Sequence, residues 1–126
     1  MVGIVIVSHS EKLADGVVDA TKIMADGCPI ASAGGAPDGG YGTSYEKIAE
    51  AIGKVRGEDG AVLLFDMGSA VMTAEMVIED AGYRDVRIVD CPIAEGAIAA
   101  SLASLCGDGL DDVAEQARSA KTAPKL

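Results

Sequence analysis

A chain of 126 residues falls within the usual size of one compact domain, about 100–150 residues, so a single core is expected and nothing demands a second domain. With 20 acidic against 10 basic residues and a formal net charge of −10, the composition argues against a nucleic-acid or anionic-membrane partner, since both select for Lys and Arg on the binding surface. Hydrophobic residues make up 49% of the chain but aromatics only 3%, so the core must be built from Val, Ile, Leu, Ala and Met in closely packed α/β layers. No apolar run approaches the roughly 20 residues needed to span a bilayer. The apolar start, Val2 to Val7, lacks the basic flank of a signal peptide, and a cytoplasmic location is expected. Cys28, Cys91 and Cys106 are odd in number and show no C-x-x-C spacing, which favours core thiols over disulfides or a zinc site. With a single histidine and no paired thiolates, no metal and no bound cofactor are expected.

In chain order, Gly3 to Val7 is a continuous apolar, mostly β-branched run, the pattern of a strand buried on both faces. It ends at Ser8-His9-Ser10. Leu13, Val17, Ala20 and Met24 then recur at helical spacing, with charged residues opposite, and predict a first helix closed by Gly27. Cys28 to Ala33 is a weaker strand, and Gly34 to Gly42 carries too many turn formers to be anything but a loop. It contains no Lys placed as in a P-loop, and no G-x-G-x-x-G follows the first strand, so intrinsic ATP or NAD binding is rejected. The loop is read as a long turn, with a lid over His9 as the functional alternative. Thr43-Ser-Tyr-Glu46 reads as a capping box opening a second helix with Ile48, Ile52 and Val55 on one face.

Ala61 to Phe65 predicts a third strand, stopping at Asp66-Met-Gly-Ser69. A third helix follows from about Ser69, with Val71, Ala74, Ile78 and Ala81 toward the core; Met67, Met72 and Met76 are assigned to core or dimer packing. Asp85 to Val89 is a fourth strand, and Cys91 to Ala94 a possible short edge strand, since Pro92 forbids a central place. Ile98, Leu102 and Leu105 mark a fourth helix between Glu95 and Cys106, with Glu95-Gly96 as its acidic opening. Leu110, Val113, Ala114 and Ala117 mark a fifth. Residues 1–117 are thus expected to form the domain and residues 118–126 a flexible tail. The order predicts an α/β fold: an open, mostly parallel, doubly wound sheet with helices on both faces and a short edge strand.

In such sheets ligands gather beyond the carboxyl ends of the strands where strand order reverses, commonly between the first and third strands. His9 and Asp66 are expected at those two ends. A carboxylate that accepts a hydrogen bond from one ring nitrogen fixes the tautomer and leaves the other nitrogen free to attack phosphorus. Asp66 is the candidate orienting group and His9 the candidate phosphoryl acceptor. Backbone N–H groups opening the first and third helices, including that of Gly68, together with the hydroxyls of Ser8, Ser10 and Ser69, are candidates to receive the phosphoryl oxygens. Thr43 could face the same site. No arginine stands nearby in sequence, and a neutral cradle suits a group that must release its phosphoryl as readily as it takes it.

Four motifs in order, Gly3-Ile-Val-Ile-Val-Ser-His-Ser10, Gly42-Thr-Ser44, Phe65-Asp-Met-Gly-Ser-Ala70 and Pro92-Ile-Ala-Glu-Gly96, resemble one family from Val2 to about Ala117. It is the family of phosphotransfer subunits of phosphoenolpyruvate-dependent dihydroxyacetone kinase, DhaM, whose fold is similar to the mannose-type enzyme IIA domain of the sugar phosphotransferase system. The resemblance implies that His9 takes a phosphoryl group from the carrier protein HPr. It further implies transfer to ADP on the subunit DhaL, where the ATP formed phosphorylates dihydroxyacetone held on DhaK. It also implies a homodimer. Thr43 and Ser69 fall in motifs that line the family's site. Gly39-Gly40 departs from the more polar lid sequence expected of the family, and Ala120 to Lys125 resembles the start of a linker. Two alternatives stay open on sequence: a mannose-type component relaying to a IIB domain, and a non-catalytic regulatory module that uses His9 structurally.

Overall fold

The computed structural model describes all 126 residues. Its elements are β1 (Gly3–Ser8), α1 (Glu11–Met24), β2 (Ile30–Gly34), α2 (Tyr45–Val55), β3 (Ala61–Phe65), a 3₁₀ turn (Gly68–Ala70), α3 (Val71–Ala81), β4 (Val86–Val89), α4 (Ile93–Leu105) and α5 (Leu110–Ser119). The strands form one sheet in the order β2-β1-β3-β4, parallel at every pairing. The chain leaves β1 to build β2 on one side, then returns to build β3 on the other. The reversal of strand order therefore lies between β1 and β3, as predicted.

Alternation along the central strands divides the core into two layers. Ile4 and Ile6 of β1 and Val62 and Leu64 of β3 meet residues of α1, α4 and α5 on one face. Val5, Val7 and Leu63 meet α2 and α3 on the other. A sheet covered on both faces has no use for polar alternation, which is why β1 reads as an unbroken apolar run and all six of its residues are buried.

Several predicted details are corrected. No edge strand forms at Cys91–Ala94. Pro92 caps α4, which starts at Ile93, a place where its fixed φ and missing N–H do no harm. The cap of α2 is Ser44, accepting from the Lys47 N–H at 3.2 Å, one residue later than the Thr43 capping box. The buried face of α1 is Ala14, Val17, Val18 and Thr21, whereas Leu13 and Met24 are exposed. α4 buries Gly96, Ala97, Ala100, Ser101, Ala103 and Ser104 and turns Leu102 and Leu105 outward. Met67, Met72 and Met76 are also exposed, which removes the core reading. α5 continues to Ser119, two residues beyond the predicted boundary, and Lys121 pairs with Asp90 at 3.0 Å. Cys28 and Cys91 are buried thiols, but Cys106, at the end of α4, is exposed. No helix is long and apolar enough to cross a membrane.

Candidate functional site

Register explains why His9 and Asp66 meet. Val7 of β1 stands opposite Phe65 of β3, so the residues that follow each strand leave the sheet side by side at the switch point. The Asp66 N–H still donates to the Val7 carbonyl at 3.2 Å, which fixes the carboxylate beside the start of the next loop.

Three donors converge on that carboxylate. The Ser8 hydroxyl reaches Oδ2 at 2.7 Å, the His9 N–H reaches the same oxygen at 3.2 Å, and the His9 ring Nδ1 lies 3.2 Å from Oδ1. Burial pushes the Asp66 carboxyl up, but the Ser8 hydroxyl, the His9 ring and the His9 N–H push it down further, leaving it below the ordinary carboxylate range. An ionised carboxylate can only accept, so Nδ1 carries the proton. In the neutral ring that leaves the lone pair on Nε2. The Ser69 hydroxyl, 2.9 Å from Nε2, is its donor. The His9 side chain is 20% exposed and that of Asp66 10%, so the ring is reachable from solvent while its anchor is largely covered.

The hydroxyls assigned from sequence divide into two kinds. Ser69 touches the ring, and the first N–H groups of its 3₁₀ turn, those of Gly68 and Ser69, precede any intrahelical partner. Ser8 is a correction: it is fully buried, and its oxygen both donates to Asp66 and accepts from the Ser10 N–H at 3.0 Å. It holds the anchor and has no face toward a phosphoryl group. Ser10 caps α1, accepting from the Leu13 N–H at 3.2 Å. Thr43 lies 3.4 Å from the hydroxyl of Thr73, a residue the sequence reading missed. Its one available signal was position, four residues beyond Ser69 and so on the same side of a helix.

The glycine loop is fastened to the same main chain. Gly35 donates to the Ser8 carbonyl and Gly42 to the His9 carbonyl, each at 3.0 Å. Inside it, Ala36 and Gly40 close a tight turn at 2.8 Å, leaving Tyr41 exposed. The loop therefore borders the histidine as a tied turn. No grouping of His, Cys, Asp and Glu side chains that could hold a metal is present.

A histidine oriented by a carboxylate at the switch point of a parallel sheet defines a class, and the family described as the PTS system fructose IIA component, EIIA-man, matches residues 3–115. Among curated relatives, the phosphoryl donor subunit DhaM of a PEP-dependent dihydroxyacetone kinase from Klebsiella michiganensis is 37% identical, over 100% of this chain and 28% of its own. The DhaM subunit of PEP-dependent dihydroxyacetone kinase 1 from Listeria innocua is 40% identical over 77% of both chains. A crystal structure of a protein of unknown function superposes with a TM-score of 0.84 at 24% identity, covering 100% of this chain and 99% of the other. The chain belongs to the EIIA-man family and, within it, to the DhaM phosphoryl donor subunits. It spans about a quarter of the Klebsiella relative's length, 28%.

Proposed function

We propose that this α/β domain is a phosphoryl carrier in which His9 Nε2 is the nucleophile. The observation that supports this most directly is the division of labour on one ring: Nδ1 is held by Asp66 at 3.2 Å and Nε2 is turned to the Ser69 hydroxyl at 2.9 Å. The Nε2 lone pair attacks the phosphorus of a phosphohistidine on HPr. The donor's P–N bond breaks and its electron pair returns to the donor ring, while the His9 proton stays on Nδ1 against Asp66. The Ser69 hydroxyl then swings from Nε2 to a phosphoryl oxygen, joined by the N–H groups of Gly68 and Ser69.

In the second half, a terminal phosphate oxygen of ADP on DhaL attacks the phosphorus. The P–Nε2 bond breaks, its pair returns to the ring, and the ATP formed phosphorylates dihydroxyacetone on DhaK. The donors at Nε2, the Ser69 hydroxyl and the first N–H groups of the 3₁₀ turn, are neutral, which suits a carrier that must release its phosphoryl group as well as take it. This reading places the protein in the cytoplasm as a homodimer.

Intact mass tests it after incubation with phosphoenolpyruvate, enzyme I and HPr. One acid-labile phosphoryl adduct is expected on the native chain, none on His9→Ala, and DhaL with ADP should discharge it. Discharge by a IIB domain and not by DhaL–ADP would overturn the acceptor; absence of any adduct would overturn the carrier.

A further inference from the structure

β2 is an outer strand, and one side of it is unpaired. The Pro29 carbonyl accepts from Ile4, and the Gly35 N–H donates to Ser8. Both face β1, so alternation turns the backbone N–H and C=O groups of Ile30 and Ser32 outward. A cavity of about 350 Å³ runs along this edge, its walls including Lys22 of α1, Ser32 of β2, and Lys47, Glu50, Ala51 and Lys54 of α2.

The cavity lining holds more lysines than carboxylates, against the acidic balance of the whole molecule: three of the ten basic residues stand there with Glu50, and Asp15 reaches the same edge, accepting from the Ser32 hydroxyl at 2.5 Å. Lys47 is engaged, donating to the Gly34 carbonyl at 3.0 Å and lying 3.6 Å from Glu11. Lys22 and Lys54 take part in none of the ion pairs. Lys47 and Lys54 are two helical turns apart, about 10.5 Å along α2, which is about three residues of an extended chain at roughly 3.3 Å each. A row of lysines repels a second copy of the same edge. The unpaired ammonium groups of Lys22 and Lys54 are complementary to carboxylates, and the small side chain of Ala51 leaves space beside the backbone for another strand.

We propose that the β2 edge is a docking site for an acidic, extended segment of a partner protein, which adds as a fifth strand with its carboxylates against Lys22, Lys47 and Lys54. This site is separate from the His9 site and does not depend on the phosphoryl-carrier reading. The probe is a blocked octapeptide alternating glutamate and valine, titrated into ¹⁵N-labelled full chain, with the lysine–valine peptide as its counterpart.

Saturable shifts are expected at the Ile30 and Ser32 amides with the acidic peptide alone, with affinity falling on the order of tenfold as salt rises to about 0.5 M. The double variant Lys22→Glu/Lys54→Glu, both exposed, should weaken binding on the order of tenfold and leave phosphorylation of His9 unchanged. Lack of saturable shifts, equal response to both peptides, or binding indifferent to the double reversal would overturn the proposal. So would self-association mapping to these amides without peptide, which would make the edge a contact between copies.

Discussion

The hydroxyl of Ser8 and the carboxylate of Asp66 meet at 2.7 Å across the adjoining ends of β1 and β3. Ser8 is fully buried, so its value lies in holding the carboxylate, and Ser8→Ala should lower stability by about 1.5–3 kcal/mol, the net worth of a hydrogen bond to a charged group. The carboxylate keeps both of its His9 contacts in that variant. Phosphorylation of His9 should therefore slow less in Ser8→Ala than in Asp66→Ala. Urea unfolding and the rate of phosphoryl uptake check the two halves, and an equal rate loss in both variants would contradict the anchoring role.

Ser69 stands on the other side of the ring, at Nε2. Ser69→Ala removes a donor from the place where phosphoryl oxygens arrive, and uptake is expected to fall by ~10- to 100-fold, below the loss seen for a donor in a dedicated oxyanion hole. Thr43→Ala should behave almost as the native chain, because its hydroxyl partner is Thr73 at 3.4 Å. Quenched-flow labelling from phospho-HPr measures both; a larger defect in Thr43→Ala than in Ser69→Ala would reverse their roles.

The depressed Asp66 carboxyl has an acid-stability consequence of definite sign. Its folded value lies below the ordinary 3.8, where burial is outweighed by Ser8 and His9. As pH falls the unfolded chain takes up that proton first, so the stabilisation is complete above the unfolded value and is lost as pH drops through the folded one. The stability gap between the native chain and Asp66→Asn should be constant from pH 7 to about pH 5 and narrow below pH 4. A gap that widens on acidification would refute the assignment.

The strands and the switch point were legible in the sequence because β1 and β3 are buried on both faces and read as unbroken apolar runs. The helix faces were harder. In α1 the periodicity of Leu13, Val17, Ala20 and Met24 competes with Ala14, Val17, Val18 and Thr21, and the second set is the one buried. Hydropathy weights the larger side chains, whereas close approach of a helix to a sheet or to another helix selects small ones. The same reason turned Leu102 and Leu105 outward in α4 while Ala97, Ala100 and Ser101 went in. At the site, residue types and strand ends revealed His9 and Asp66. The task of Ser8 was hidden, because nothing in the sequence tells whether a hydroxyl beside a histidine faces solvent or the neighbouring carboxylate.

The three thiols should separate by reactivity. Cys106 is exposed, while Cys28 and Cys91 are buried. Burial, with Asp90 nearby, pushes the Cys91 thiol up to about 11, so it presents almost no thiolate at neutral pH. Ellman's reagent should titrate one thiol quickly in the native protein and all three in denaturant, and Cys106→Ser should abolish the fast phase. Two fast thiols in the native state would show that one buried cysteine is accessible.

Gly96 lets α4 lie against the segment that follows β4. A Cβ at this position would stand 2.3 Å from the Cys91 sulfur and 3.3 Å from the Cys91 Cβ, far inside contact distance for the first and tight for the second. Gly96→Ala is expected to destabilise by about 1–3 kcal/mol through overpacking, despite the better helix propensity of alanine. Removing the sulfur opens space for the added methyl, so Gly96→Ala with Cys91→Ala should be more stable than the sum of the single changes predicts, by about 0.5–3 kcal/mol of coupling. Denaturant unfolding of the native chain, both single variants and the double variant closes the cycle. Additive losses would mean that the backbone of α4, and not the Cys91 side chain, is what a larger residue at position 96 displaces.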